Sequence, residues 1–289
     1  MITKSSLKIG IIGAGKVGSA LAQSLRMSGY QVSGIASHTS DSASKLAILV
    51  GANVQSLDQI TLQCNLIFIA TNDDSVTQVV QNAKWNSNHM VVHMSGSLSL
   101  EVLNDAKSMG SSIASLHPIQ TFVGQDSSFV DVYFGLDTSS EILRDLLKNI
   151  VSELGGKVID VSSADRALYH ASAVMSCGYI TAVLNDALAT WVSANLDYED
   201  GMQALVRLAT STIRNIEKIG FSESLTGPIK RNDKTSVKKH ISTLQARSPH
   251  LLDVYCSVGK RMVSLVYKDR PDENHEWAQL FNLNSERKI

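Results

Sequence analysis

Three glycines near the start of the chain have the spacing of a phosphate-binding turn. The motif G-x-G-x-x-G consists of Gly13, Ala14, Gly15, Lys16, Val17 and Gly18. It lies between an apolar run at residues 8–12 and a helix-forming stretch at residues 19–25. In that context the glycines permit a tight turn, backbone approach to a pyrophosphate and close helix packing. The N–H groups at the helix start also attract an anion. The motif predicts a dinucleotide site; the alternative is an ordinary glycine-rich turn that binds nothing.

The residues after the second predicted strand bear on which dinucleotide binds. In NAD-specific domains an acidic side chain at this point binds the adenosine ribose hydroxyls. Here Ser37 and His38 follow the strand, and the first carboxylate, Asp41, already lies at the start of the next helix. We therefore expect NADP(H), although arginine is the usual cationic partner of a phosphate. The alternative is that Ser37 and His38 are ordinary turn residues and that the cofactor choice is loose.

Two further loops are expected beside the nicotinamide half of the cofactor. Ligands of open α/β sheets bind beyond the carboxyl ends of the strands, and these loops follow the fourth and fifth predicted strands. The candidates are Thr71, Asn72 and Asp73 in the first loop and Ser95 in the second. For one of Asp73 and Asp74 we favour the alternative that it caps the following helix.

Arg166 and His170 lie four residues apart in a predicted helix and therefore share one helix face. Reduction of a C=O or C=N bond needs hydride from the cofactor, a proton for the heteroatom and a group that holds the substrate. Arginine keeps its proton, with a pKa above ~12, but can hold a carboxylate through two hydrogen bonds. Histidine titrates near neutral pH, so His170 is the better general acid. The alternative for His170 is a structural histidine that bonds a helix neighbour.

His117 and Lys230 complete the candidate catalytic set. His117 precedes Pro118 at the end of the sixth predicted strand. It is an alternative acid or an orienting donor, or it only stabilises the His-Pro turn. Lys230 and Arg231 lie in a Gly-Pro loop and could bind an anionic substrate or a phosphate; a solvated surface pair is the alternative. If these sites act, the substrate is a small carboxylate with a reducible C=O or C=N bond.

The elements that must position these residues alternate between strands and helices in the first half of the chain. Strands are predicted at residues 8–12, 31–36, 52–54, 65–70, 89–94, 112–117, 133–137 and 157–161. Intervening helices are predicted at residues 40–50, capped by Ser40 or Asp41, and at 74–82, 98–109 and 143–154. Strands that alternate with helices form a doubly wound parallel sheet with right-handed crossovers. The predicted fold class is therefore α/β, with a Rossmann domain at residues 1–161.

The pattern changes to long helices after residue 162. They are predicted at about residues 164–191, 200–219, 235–246 and 249–266, with Asp233 as a possible helix cap. We therefore expect an all-α domain at residues 162–289, with a partly disordered polar tail from residue 269.

Composition excludes several classes of protein. The 289 residues are 44% hydrophobic with a formal net charge of −1, which gives no electrostatic footprint for nucleic acid or an anionic membrane. Three scattered cysteines without a C-x-x-C pair argue against a disulfide framework and a structural zinc site. No secretory pattern is present, and no apolar run reaches the ~20 residues of a membrane helix. We expect a cytoplasmic protein without a metal.

Three segments resemble one known family. They are residues 114–122 (Ala-Ser-Leu-His-Pro-Ile-Gln-Thr-Phe), 169–174 (Tyr-His-Ala-Ser-Ala-Val) and 225–233 (Leu-Thr-Gly-Pro-Ile-Lys-Arg-Asn-Asp). That family pairs a Rossmann-like domain with a helical C-terminal domain long labelled as of unknown function. It is similar to pyrroline-5-carboxylate reductase and the 6-phosphogluconate dehydrogenase superfamily, and some members are regarded as alternative ketopantoate reductases. The resemblance extends to about Val266 and implies a fold rather than a substrate.

The chain departs from the family pattern at three positions. The family usually has Lys at Arg166, often has Ser-Asn at Cys177 and Gly178, and commonly has Ala-Arg-Gly-Asp at residues 230–233. In the 6-phosphogluconate dehydrogenase superfamily, a Lys and an Asn at the spacing of Arg166 and His170 meet the substrate. The first two departures therefore bear on the proton donor and the substrate contacts.

The resemblance and the residues together favour an NADPH-dependent reductase of a small carboxylate, with ketopantoate as the first candidate. A hydroxy-acid dehydrogenase working in the oxidative direction is one alternative. A non-catalytic NADP(H) sensor is another, because Arg166 and Gly178 alter positions that the family would use. Helical domains of related folds form dimer interfaces, so a homodimer is expected.

Overall fold

The computed structural model describes residues 3–123 and 128–282. By internal contacts the chain divides into two compact units, Met1–Met175 and Ser176–Ile289. The strands of the first unit are β1 Ile9–Ile12, β2 Val32–Ala36, β3 Asn53–Val54, β4 Leu66–Ile69, β5 Met90–His93, β6 Ser112–Pro118, β7 Tyr133–Thr138 and β8 Lys157–Asp160. They form one sheet in the order β3-β2-β1-β4-β5-β6-β7-β8. The predicted Rossmann architecture is confirmed.

Helices cover this sheet. They are α1 Lys16–Met27, α2 Ser40–Val50, α3 Leu57–Gln63, α4 Asp73–Asn82, α5 Asn104–Ser108, α6 Glu141–Glu153 and α7 Arg166–Val174. The central strands β1 and β4 are buried along their whole length, as is typical of parallel strands with helices on both faces. On one face the core contains Leu21, Leu25 and Leu147, and on the other it contains Val76 and Trp85.

The last two strands run opposite to the first six. Neighbouring strands from β3 to β6 pair in parallel, whereas β6 and β7 pair antiparallel and β7 and β8 again in parallel. A parallel return needs a crossover, usually a helix, and the described residues between β6 and β7 contain none. The predicted parallel sheet is therefore confirmed as a mainly parallel one, with a single antiparallel pairing between β6 and β7.

Several predicted helix starts also differ. Thr39 is the N-cap residue of α2, without a side-chain cap bond, so neither Ser40 nor Asp41 caps it. Asn72 caps α4 by accepting a hydrogen bond from the Ser75 N–H at 2.9 Å. Asp73 is therefore the first helical residue and not the cap. The long helix expected at residues 98–109 is a 3-10 turn, Leu100–Leu103, followed by the short α5.

The described part of the second unit consists of helices and the loops that join them. After a π-helical segment at Met175–Tyr179 come α8 Ile180–Ser193, α9 Tyr198–Ser224, α10 Gly227–Lys230, α11 Lys234–Arg247, α12 Leu252–Val266 and α13 Pro271–Asn282. Gly220 interrupts α9 with a positive φ of 79°. Asp233 caps α11 by accepting a hydrogen bond from the Ser236 N–H at 3.0 Å, as predicted.

The polar tail contributes to the core of this second unit. Residues 271–282, expected to be partly disordered, form α13, and Trp277, Leu280 and Phe281 on that helix are buried. The periodic spacing of these apolar residues gives the helix a face that it can bury. Disorder is therefore the wrong expectation for this part of the tail, whereas residues 283–289 lie outside the described residues.

One continuous helical stretch in the described residues has a length and composition compatible with a membrane span. Arg166–Ser193 has 28 residues and a hydropathy of 1.3, and 0% of its most apolar window is buried. A single such helix carries little weight, and Asn185 with Asp186 interrupts the apolar run. This stretch is weak evidence for a membrane span.

Candidate functional site

The glycine-rich turn has the backbone geometry that a dinucleotide requires. Gly13 has a φ of +110°, and a Cβ at this position would lie 2.6 Å from the carbonyl oxygen of Ala70. A Cβ at Gly18 would lie 1.9 Å from the carbonyl oxygen of Gly13. Gly15, the N-cap residue of α1, meets no atom within 4 Å. Packing inside the chain thus explains Gly13 and Gly18, and the open space at Gly15 fits the approach of a pyrophosphate.

The other predicted cofactor residues lie on the same edge of the sheet, after the carboxyl ends of parallel strands. Ser37 and His38 follow β2; His38 is exposed and Ser37 half-buried. Thr71 follows β4, and its hydroxyl is buried without a hydrogen-bond partner among the described residues. Lys16 and Val17 open the first turn of α1. The residues present therefore fit a dinucleotide, although Asn72 is used as a helix cap.

A hydrogen-bonded link joins the loops after β4 and β5. The Ser97 hydroxyl donates to the Asp73 carboxylate. The Ser95 hydroxyl accepts from the backbone N–H groups of Ser97 and Leu98, both at 3.1 Å. These bonds use the Ser95 hydroxyl to fix the loop. The Ser95 carbonyl oxygen contacts α7 instead.

Arg166, the first residue of α7, makes that contact. Its Nη1 donates to the carbonyl oxygen of Ser95 at 3.1 Å, and the residue is 1% exposed. Its Nε and Nη2 atoms are buried without a hydrogen-bond partner among the described residues. Burial lowers the pKa of Arg166, and the nearby charge of Asp137 opposes that effect. Arg166 is therefore a buried donor group with unused capacity, rather than an exposed clamp.

His117 and His170 meet above Gly96. Their ring centroids are 6.0 Å apart with the planes at 77°. A Cβ built on Gly96 would lie 2.7 Å from both the His117 Nε2 and the His170 Cδ2. The two rings therefore fill the place that a Cβ would take, and only glycine lets the loop after β5 pack against both of them. The structure thus unites two histidines that lie 53 residues apart in sequence.

Burial sets the protonation state of two histidines at this edge. The pKa of His117 is lowered to about 4, first by burial and then by the neighbouring His170 and Arg166. His93, at the end of β5, is fully buried, and burial lowers its pKa to about 3. Both imidazoles are therefore neutral near pH 7. A neutral imidazole offers one N–H donor and one acceptor nitrogen.

Tyr169 is a site residue that the functional reasoning from sequence missed. Its hydroxyl lies 2.7 Å from the His117 Nδ1 atom, and the two rings meet edge to face. Tyr169 is at i+3 from Arg166, so helical spacing puts it on the same face. That spacing was the available signal. His93, Gly96 and Gly135 carry no such signal, because their proximity depends on strand register.

Lys230 belongs to the second unit, at the end of α10, and its side chain is exposed. Arg231, which follows it, is also exposed. Their predicted role in binding an anion stays a prediction. The first unit by itself brings together Arg166, His117 and His170.

Two cavities among the described residues lie elsewhere. One, of about 570 Å³, lies beside Lys8 and Gln31 at the amino ends of β1 and β2, the edge of the sheet opposite to the histidines. The other, of about 640 Å³, lies within the second unit and is lined mainly by apolar side chains of α8, α11 and α12. The candidate site is therefore defined here by its convergent side chains.

Comparison with known families assigns two regions of the chain. Residues 1–118 match the family described as Rossmann-like domain. Residues 132–262 match the family described as Domain of unknown function (DUF2520). No curated protein matches the chain. The two matches agree with the pairing of a Rossmann-like domain and a C-terminal domain of unknown function that the sequence motifs imply.

Solved structures with a similar fold cover nearly the whole chain. A Bacteroides fragilis protein assigned as an NADP oxidoreductase is 23% identical, with a TM-score of 0.69 over 99% of this chain and 100% of that one. Streptococcus pyogenes 1-pyrroline-5-carboxylate reductase is 14% identical, with a TM-score of 0.64 over 94% and 98%. A reductive aminase from Aspergillus terreus, solved with NADPH and ethyl levulinate, is 14% identical, with a TM-score of 0.63 over 96% and 99%. The resemblance to pyrroline-5-carboxylate reductase is confirmed as a resemblance of fold.

Proposed function

Because the chain joins a Rossmann-like domain to a DUF2520 domain, we propose that it is an NADP(H)-dependent oxidoreductase that reduces the C=O or C=N bond of a small carboxylate. The convergence of His117, His170 and Arg166 at the carboxyl edge of the sheet carries this proposal. Two of the similar folds belong to a protein assigned as an NADP oxidoreductase and to a reductive aminase solved with NADPH. When bound, NADPH supplies the hydride.

Cofactor binding is assigned to the glycine turn and the loops beside it. Gly13, Gly15 and Gly18 with the first turn of α1 would hold the pyrophosphate through backbone N–H groups. Ser37 and His38 would contact the 2′-phosphate. Thr71 and Ser95 would border the nicotinamide half.

The side chains around Gly96 have separate proposed roles. His170 donates the proton to the substrate heteroatom, and neutral His117 hydrogen-bonds that heteroatom and polarises the double bond. Buried Arg166 attracts the carboxylate through its charge and fixes the Ser95 loop. Lys230, in the second unit, stays a candidate for binding an anionic group. These roles revise the earlier expectation that Arg166 itself clamps the substrate.

Ketopantoate is the substrate that we propose first, because it combines a carboxylate with an adjacent ketone. Pyrroline carboxylate, other 2-oxo acids and an oxidised sugar acid share that chemistry. NADPH oxidation in the presence of each compound tests the choice. Saturable turnover of ketopantoate supports it, whereas turnover of another acid keeps the reductase and rejects the substrate.

NADPH should bind at least about tenfold more tightly than NADH, because no carboxylate follows β2 to bind the ribose hydroxyls. Fluorescence titration of the two reduced cofactors measures both Kd values. The double variant Ser37→Ala with His38→Ala should weaken NADPH binding and leave NADH binding unchanged. His250→Ala removes an exposed histidine of the second unit and is the control. Equal or tighter NADH binding by the parent protein would contradict the assignment.

We further propose that the protein is a cytoplasmic homodimer whose interface includes α8 and α9. Ten large apolar side chains on these helices are between 40% and 68% exposed, an extent typical of interaction surfaces. They are Ile180, Val183, Val192, Tyr198, Met202, Val206, Leu208, Ile213, Ile219 and Phe221.

Light scattering at micromolar concentration should give twice the 31.3 kDa chain mass. Leu208→Glu combined with Phe221→Glu should give a monomer, because two buried charges disfavour the interface. Leu62→Glu, which changes a residue that is 82% exposed on α3 of the first unit, should leave the dimer intact. A monomeric parent protein would refute the proposal.

A further inference from the structure

The register of β6 and β7 leaves a space beside His117. His117 pairs with Gly135 across this antiparallel ladder, and directly opposed residues face the same side of the sheet. Gly135 has no side chain, and Tyr169 from α7 uses that space. A Cβ on Gly135 would lie 2.5 Å from the Tyr169 hydroxyl oxygen and 2.8 Å from Cζ. Gly135 therefore admits the phenol that contacts His117.

The direction of the hydrogen bond between Tyr169 and His117 follows from the two groups. The Oη to Nδ1 distance is 2.7 Å. Burial raises the pKa of Tyr169, so the phenol keeps its proton, whereas burial lowers the pKa of His117 to about 4 and keeps its ring neutral. A phenol is a better donor than a neutral imidazole N–H, and an imidazole nitrogen is a better acceptor than a phenol oxygen. Tyr169 thus donates to Nδ1.

A neutral imidazole whose Nδ1 accepts a hydrogen bond carries its hydrogen on Nε2. The Nε2 of His117 lies beside Gly96, where a Cβ would be 2.7 Å away, and next to the ring of His170. The charged and titratable groups that act on His117 are His170 and Arg166 of α7 and Asp73 of α4. Tyr169 is its short hydrogen-bond partner.

We propose that Tyr169 and Gly135 are positioning residues that hold His117 as the Nε2–H tautomer and aim that N–H into the site. This inference rests on the proposed function only where the substrate heteroatom is taken as the acceptor of that N–H. The alternative tautomer would point a lone pair at the same place and would repel a carbonyl oxygen. The pair thus determines whether His117 attracts or repels the reacting group.

Nitrogen-15 NMR of the histidine rings in the unliganded protein at pH 7 tests the tautomer without any turnover. His117→Asn identifies the His117 signals. In the parent protein Nδ1 should be the bare nitrogen and Nε2 the protonated one. Tyr169→Phe should give a mixture of tautomers. Gly135→Ala should do the same, because the new Cβ would displace the hydroxyl.

Tyr133→Phe is the matched control, since Tyr133 is 46% exposed on the same strand as Gly135. It should leave the His117 signals unchanged. A protonated Nδ1 in the parent protein would overturn the proposal, as would unchanged His117 signals in folded Tyr169→Phe. Tyr169→Phe should also lower kcat at least about tenfold with little change in the KM for NADPH. A changed tautomer with normal kcat would uphold the positioning pair and reject the proposed role of His117.

Discussion

Gly15→Ala should leave the protein folded and yet weaken NADPH binding at least ~100-fold. A Cβ at this position meets no atom within 4 Å, so the substitution costs the protein no internal contact. The residue is the N-cap of α1, where the backbone of a dinucleotide-binding turn approaches the pyrophosphate. The added methyl group would occupy the space of the ligand rather than that of the protein.

Gly18→Ala provides the contrast. Its Cβ would lie 1.9 Å from the carbonyl oxygen of Gly13, so this variant should lower the Tm as well as the affinity. Thermal unfolding and fluorescence titration with NADPH separate the two effects. If Gly15→Ala binds NADPH as tightly as the parent protein, the glycine turn is a structural turn only and the assigned cofactor site is wrong.

His170→Ala should lower kcat about 100-fold or more, the range in which general acids contribute. The ring of His170 packs against Gly96, next to the ring of His117. No other titratable side chain of α7 is suited to the task, because Arg166 is buried and keeps its proton, and Tyr169 is bonded to His117. The Kd for NADPH should be unchanged, because the proton donor acts on the substrate.

Steady-state kinetics with the best substrate measures this loss. Added imidazole should restore part of the activity of His170→Ala, because it can occupy the vacated space and donate a proton. His250→Ala, at an exposed position of the second unit, controls for loss of a histidine. If His170→Ala and His117→Ala each keep the rate within a few-fold of the parent protein, neither histidine is the general acid.

Most of the fold could be predicted from local patterns. Apolar runs bounded by turn residues locate all eight strands of the first unit to within a few residues. Helix starts were harder, because Asn72, Asp73 and Asp74 are all suitable capping residues and only the backbone conformation selects Asn72. The direction of β7 depends on a connection without a helix, a property that a strand pattern does not contain.

The candidate site could be predicted where its residues share one element. Arg166 and His170 follow from helical spacing, and the same spacing also indicates Tyr169. Gly96 and Gly135 contribute by having no side chain at a point where another element approaches. Such contacts depend on strand register and loop conformation, so they could not be predicted from the sequence alone.

NADPH oxidation followed at 340 nm with ketopantoate, pyrroline carboxylate and a panel of 2-oxo acids tests the central claim most directly. The claim is that this chain reduces a small carboxylate with NADPH. It predicts saturable turnover of at least one panel member, lost in His170→Ala and in Gly15→Ala. Tight NADPH binding without turnover of any panel member would contradict it and would favour a protein that binds NADP(H) without catalysis.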